Sequence, residues 1–263
     1  MDLGLAHLNA LITGASRGLG FATAKLLCEE GANVCINGRD EGRLKAAAEE
    51  IKKATQHVVC MAEGDVTKQE DVRRIIAKTV AELGGLDLLV TNSGGPPAGK
   101  FEDIQEEQWI QAIELNFVSH VRLIKEALPY LKKSKHASVL TITSYSVKQP
   151  IPQLVLSNSI RAATVGLTKS LALELGNEGI RFNSIMPGWT KTERVKELIT
   201  YRAQINGTTI EEEARKIAKE SSLGRMAEVE EFARVAVFII SPAASYLTGA
   251  MISVDGGMVK GLF

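Results

Sequence analysis

The sequence predicts a doubly wound α/β fold, a parallel sheet of about seven strands with helices on both faces. Two observations predict it. Strand-like apolar runs alternate with helix-spaced segments along the 263 residues, a rhythm that implies parallel pairing through right-handed crossovers. The first apolar run, LNALI at residues 8–12, stops at a glycine-rich turn, TGASRGLG at 13–20, and a helical segment, FATAKLLCEEG, follows. In a sheet of this kind ligands sit beyond the carboxyl ends of the strands, where the strand order reverses.

The elements follow in order. In the first helix Phe21, Ala24, Leu27 and Cys28 share one face. Residues 33–37 (NVCIN) read as a second strand, and Gly38-Arg39-Asp40 turns the chain into a helix over about 40–54. A third strand spans 57–62, ended by Gly64-Asp65, and a charged amphipathic helix spans 68–83. The fourth strand, 86–90, runs into TNSGGPP. A long helical stretch then reaches about 133, with Pro129 expected to kink or break it near its end. A fifth strand at 137–143, a loop marked by Pro150 and Pro152, and a helix to about 176 come next. A sixth strand at 180–186, a helix at 228–240 and a short strand at 251–254 complete the pattern. Only residues 191–225 break the rhythm, being polar and helical with no strand. Asn206-Gly207 divides them, and Thr209 with Glu212 forms a capping-box pattern. Residues 1–263 are expected to form one domain in which 191–225 is either a lid over the ligand site or an ordinary surface excursion.

Composition narrows the function. Lys plus Arg and Asp plus Glu number 31 each, so no basic excess points to nucleic acid and no charged tail to a membrane surface. No apolar run approaches a transmembrane length, and the first one is too short for a signal-peptide core. Cys28, Cys35 and Cys60 are odd in number, lack C-x-x-C spacing and fall on the first helix and the second and third strands. There a free thiol serves as a small core residue. No metal site is expected, and a soluble cytoplasmic protein is.

The glycine turn carries the first chemistry. Glycine permits dihedrals that a Cβ forbids and lets the backbone approach a phosphate, which the N–H groups and positive end of the following helix then face. The spacing is G-x-x-x-G-x-G. Together with GDV at 64–66, TNSGG at 91–95, LNF around Asn116, ITS ending at Ser144, PGWTKT at 187–192 and SYLTG…VDGG at 245–257, it resembles the short-chain dehydrogenase/reductase family over essentially the whole chain. The resemblance implies a Rossmann-type fold and a nicotinamide dinucleotide. It assigns Gly14, Ser16, Gly18, Leu19 and Gly20 to the phosphate-binding turn, and Asp65 and Val66 to the adenine. Asn92 and Gly94 fall beside the nicotinamide ribose, with Thr91 in place of the first of two usual asparagines. Pro187, Gly188 and Thr192 fall at the nicotinamide.

Charge argues for NADP(H) over NAD(H). An enzyme for NAD usually places an acid after the second strand to accept from the ribose hydroxyls. This chain places Arg39 there, with Arg17 in the facing loop, two guanidinium forks suited to a phosphate. Arg39 facing solvent is the alternative, and Asp40 lies one place later.

The catalytic positions depart from the family. Members carry Tyr-x-x-x-Lys about thirteen residues beyond the serine. Counting from Ser144 lands on Ser157 and then Arg161, in SNSIR, and the following RAATVGLTKSLALELG matches without a gap. Tyrosine, with a pKa of about 10, can be tuned toward neutrality as a general acid. A serine is far less acidic, and Arg161 can hold ribose hydroxyls but cannot relay protons. Tyr145 and Lys148 could compensate if the loop after the fifth strand turns inward, or could be plain loop residues. Asn116 and Ser144 remain to polarise a carbonyl or place a water. Asn158 could add an amide, and His120 is either a proton carrier or a satisfied helix residue.

The expected function is an NADP(H)-dependent oxidoreductase moving hydride between the cofactor and a small carbonyl or alcohol, with an altered proton-transfer group. Among family members the chain looks most like the 3-oxoacyl-carrier-protein reductase type. The alternative is a catalytically silent NADP(H)-binding sensor or assembly protein. The helices from about Gln108 and Leu156, with Ala112, Ala127, Ala162, Ala163 and Gly166, are those through which family members pair, so a homodimer or homotetramer is expected.

Overall fold

A computed structural model describes residues 1–55 and 57–262. Its strands are β1 (Asn9–Ile12), β2 (Asn33–Gly38), β3 (Val59–Glu63), β4 (Leu88–Thr91), β5 (Ser138–Ile142), β6 (Arg181–Pro187) and β7 (Met251–Val254). They form one seven-stranded sheet in the order β3-β2-β1-β4-β5-β6-β7, and every neighbouring pair is parallel. The order reverses between β1 and β4. The helices are α1 (Gly18–Glu29), α2 (Glu41–Ala54), α3 (Gln69–Leu83), α4 (Glu106–Ile113), α5 (Ser119–Leu131), α6 (Val155–Leu175), α7 (Glu193–Asn206), α8 (Ile210–Glu220) and α9 (Val229–Ile240).

Alternation along each strand deals side chains to two cores. Ala10 and Ile12, Val34 and Ile36, and Val90 face one of them, against α1, α2 and α9. Leu11, Cys35 and Leu89 face the other, against α3, α5 and α6. A smaller cluster joins α7 and α8 to the rest: Ile199 and Ile217 pack with Trp189, Tyr145, Ile151 and Met258. The three cysteines are free and buried on α1, β2 and β3. Among the described residues no helix is long and apolar enough to cross a membrane.

The long helical stretch expected before residue 133 is interrupted, and not where the proline predicts. Pro129 sits inside the last turn of α5, which continues to Leu131. The break falls at Glu114–Val118, a π-helical turn between α4 and α5. A wider turn frees a carbonyl, and the Thr164 hydroxyl of α6 donates to Asn116 O at 2.6 Å. That partner lies 48 residues away, so no local pattern announces it. Of the small residues expected on the pairing helices, Ala112 and Ala127 are buried within the chain, while Ala162, Ala163 and Gly166 on α6 are exposed.

The segment at 191–225 forms the α7–α8 hairpin. Gly207 closes α7 at φ +62°, a value suited to glycine. The capping box at α8 is present: Glu212 N donates to Thr209 Oγ1 at 3.1 Å and Thr209 N to Glu212 Oε2 at 2.9 Å.

Candidate functional site

A cleft of about 530 Å³ opens at the carboxyl ends of the strands. Its floor is the turn after β1. Gly14 and Gly18 have φ of +56° and +62°, and a Cβ on Gly20 would lie 2.6 Å from Gly14 O. Asn92 locks the turn against the end of β4: its N donates to Thr13 Oγ1 at 2.9 Å, and its Nδ2 donates to Gly14 O at 3.1 Å. The start of α1 has no side-chain cap and no acid in its first turn, which leaves its N–H groups and positive dipole end for an anion. That is a cradle for a diphosphate.

Of the residues expected to hold a dinucleotide, Gly14, Ser16, Arg17, Gly18, Leu19, Arg39, Asp65, Val66, Asn92, Gly94, Arg161, Pro187, Gly188 and Thr192 line the cleft. Gly20 stands behind it as the close-approach position. Arg39 is 74% exposed, with Nη1 4.0 Å from Asp65 Oδ2, and Arg17 pairs with Glu193 at the start of α7. Asp40 is explained: its Oδ1 accepts from Arg43 N at 2.9 Å and caps α2. Arg43, in the first turn of α2 and four residues beyond Arg39, also lines the cleft. Sequence reasoning missed it.

Ser144, Ser157 and Arg161 also line the cleft. Ser144 follows β5, and its Oγ accepts from Ser146 N at 3.1 Å. Ser157 and Arg161 are one turn apart on α6. Arg161 is 8% exposed, and its Nη1 donates to Ile142 O and Thr143 O at 3.2 and 3.1 Å. Burial, with the Arg194 charge second, brings its pKa down to about 10. The guanidinium therefore stays charged at neutral pH.

Several expected catalytic groups stand elsewhere. Asn116 is buried outside the cleft lining. Its Nδ2 donates to Ser93 Oγ at 2.9 Å and Gly94 O at 2.7 Å, so it shapes the loop after β4 and does not face a substrate. Tyr145 borders the cleft, but its ring belongs to the Trp189–Ile217–Met258 cluster. Burial first, and the Glu220 carboxylate second, push its phenol up to about 12, away from the range of a useful acid. Lys148 is exposed outside the cleft. Asn158 is spent on Ile151, donating to its O at 2.9 Å and accepting from its N at 3.2 Å. His120 is neither alternative foreseen: it is 1% exposed, lies outside the cleft lining, and neither ring nitrogen has a partner. Burial and the Arg161 charge hold it neutral, with a pKa of about 3. Among the described residues no cluster of three metal-ligating side chains occurs.

α7 crosses the cleft. Glu193 reaches Arg17 on one wall, and Arg194 Nη2 donates to Pro96 O on the other. Trp189 and Arg194 were also missed, because their approach to the cleft depends on the path of the hairpin.

Comparison with known proteins agrees with this geometry. A family model described as Enoyl-(Acyl carrier protein) reductase matches residues 14–259. The 3-oxoacyl-[acyl-carrier-protein] reductase FabG of Chlamydia muridarum is 33% identical over 254 residues, covering 97% of this chain and 98% of its own. L-sorbose reductase of Gluconobacter frateurii, solved with NADPH and L-sorbose, superposes with a TM-score of 0.94 at 30% identity over 100% of both chains. An NADPH-bound short chain oxidoreductase of Pseudomonas aeruginosa PAO1, described as containing an atypical catalytic center, gives 0.87 at 29% identity over 96% of both. A strand order, a glycine cradle and relatives that agree from end to end leave one assignment: the chain belongs to the short-chain dehydrogenase/reductase family.

Proposed function

We propose that the protein is an NADP(H)-dependent oxidoreductase acting on a small carbonyl or alcohol, in which Ser157 and Arg161 replace the usual tyrosine and lysine. The observation that carries this is that Ser144, Ser157 and Arg161 line the same cleft as a diphosphate cradle. Bound NADPH supplies the hydride. The start of α1 holds its diphosphate, and Arg17, Arg39 and Arg43 hold the 2′-phosphate. Asp65 and Val66 border the adenine, while Asn92, Gly94, Pro187, Gly188 and Thr192 border the nicotinamide half. Arg161 donates to the ribose hydroxyls.

For the chemistry, the Ser144 and Ser157 hydroxyls donate to the carbonyl oxygen. The fixed charge of Arg161 stabilises the alkoxide that develops there, as preorganised donors do in an oxyanion site. A water at Ser157 then delivers the proton. α7 and α8 act as a lid over the cleft. Pairing through α4 and α6 makes the protein a homodimer or homotetramer, covering Ile110 and Leu173, which are 55% and 77% exposed.

One observation favours the rival reading, a silent NADP(H) binder: Tyr145 and His120, the tunable acids considered, are withdrawn from the reacting end. Stopped-flow loss of NADPH absorbance across a panel of carbonyls separates the two. Turnover on any of them supports the oxidoreductase, and tight binding with no turnover on all supports the binder.

A further inference from the structure

Five arginines line the cleft, and they fall into two groups. Arg17, Arg39 and Arg43 stand at the adenosine end. Arg161 donates to Thr143 O, next to Ser144, and Arg194 to Pro96 O in the loop after β4; on the proposed function that is the nicotinamide half, which carries no phosphate beyond the shared diphosphate. The four carboxylates of the cleft are otherwise engaged. Asp40 caps α2, Asp65 accepts from Thr67 N and Oγ1, and Glu193 pairs with Arg17. Glu197 lies 3.4 Å from Arg194, 56% exposed and one turn along α7, a weak pair by its exposure. Among the described residues no carboxylate forms an ion pair with Arg161, and the charge beside it is that of Arg194. Keeping a buried guanidinium with carbonyl partners alone is costly, and bringing a second beside it adds repulsion.

The local fold makes room for the second one. The Arg194 guanidinium lies against Gly95, where a Cβ would stand 2.9 Å from Nε. Its Nη2 is held by Pro96 O. A side chain steered into a cleft by two backbone features is a positioned donor.

We propose that Arg194 and Arg161 form a carboxylate subsite, and that the substrate is an oxo acid and not a neutral ketone or aldehyde. This rests on the oxidoreductase reading above. The guanidinium fork matches a carboxylate in two N–H bonds, and a carboxylate set between the two arginines relieves their repulsion. It also leaves the ketone oxygen of a short oxo acid to Ser144 and Ser157. The step balances as a two-electron reduction by NADPH. A C–H bond forms at the ketone carbon, the C=O π bond breaks to an alkoxide, and water supplies the proton, giving a hydroxy acid and NADP⁺.

The test compares acetoacetate and 2-oxobutanoate with their methyl esters, and titrates butanoate, which cannot be reduced, into the NADP⁺-loaded protein by calorimetry. The acids should exceed their esters at least tenfold in kcat/KM. Arg194→Gln should lower that acid-to-ester ratio about tenfold to a hundredfold, as for a charge-assisted contact, and abolish butanoate binding. Gly95→Ala, which keeps the charge but displaces the guanidinium, should lower the ratio as well. Esters reduced as well as acids would overturn the subsite while leaving the oxidoreductase reading intact. Arg194→Gln weakening NADPH binding as much as butanoate binding would overturn it too, assigning Arg194 to the cofactor's diphosphate. If neither acid nor ester is reduced, the carbonyl panel decides the oxidoreductase reading and butanoate decides the subsite: binding lost in Arg194→Gln upholds it, and absent binding overturns it.

Discussion

A serine hydroxyl one helical turn from a buried guanidinium can orient a carbonyl and steady an alkoxide, but it is a poor source of protons. That limit gives a direct expectation. Ser157→Tyr with Arg161→Lys should raise reduction of an activated ketone by about 10²–10⁴-fold, the usual contribution of a general acid, measured as initial rates of NADPH loss. Tyr145→Phe should change the same rate by less than about threefold, since a phenol raised to about 12 inside an apolar cluster has little acid to lose. A tenfold loss would return Tyr145 to the chemistry. At the adenosine end, replacing Arg17 and Arg39 by alanine should remove most of the preference for NADP(H), because each charge-assisted bond is worth roughly 1.5–3 kcal/mol. Calorimetry with both cofactors checks it, and Arg43 accounts for whatever preference remains. The place of the glycine turn and of the residues after β2 in the cleft was legible because it follows from neighbours in sequence. Arg43, Arg194 and Trp189 were less so, as their place in the cleft depends on helices folding back over it. Asn116 and His120 misled for a related reason: a polar residue in a helix reveals its type, but which way it faces is set by the packing of α6.

At the scale of elements, the π-helical turn and the α7–α8 hairpin show where pattern reading stops. Strand and helix periods found every sheet element to within two residues, and the Thr209–Glu212 box was visible in the sequence. The interruption at Glu114–Val118 was not, because it answers a hydroxyl on another helix. The hairpin itself depends on Glu213, which is 3% exposed. It accepts from Lys216 Nζ at 2.7 Å, Thr208 Oγ1 at 2.8 Å and Asn206 Nδ2 at 3.2 Å. These bonds, that of Lys216 foremost, draw its pKa from 4.5 to about 2. A carboxylate whose folded pKa is depressed stabilises above its unfolded value, and the gain is lost as pH falls through the folded one. The protection factors of the α7 and α8 amides, measured against the intrinsic exchange rate at each pH, should therefore be high above about pH 4.5 and fall between there and about pH 2. Glu213→Gln should show low protection already at neutral pH. Equal protection in both proteins would remove Glu213 from the hairpin's support.

At the scale of the whole molecule, α4 and α6 leave Ile110, Ile113 and Leu173 between 41% and 77% exposed, apolar side chains that the proposed pairing would cover. Sedimentation at micromolar concentration should give a dimer or tetramer, and Leu173→Glu with Ile110→Glu should shift it toward the 28.4 kDa chain. A single species of that mass in the unaltered protein would contradict the pairing. The two tryptophans, meanwhile, are placed so that they report on different things. Trp109 stands edge-on to Phe101 at 6.4 Å, near that outer surface. Trp189 is buried at the lip of the cleft, with the Arg202 guanidinium 4.8 Å over its ring. The protein thus carries its own optical labels. A reduced nicotinamide entering the cleft should accept excitation from Trp189 and quench its emission, while separation of the proposed subunits should red-shift that of Trp109.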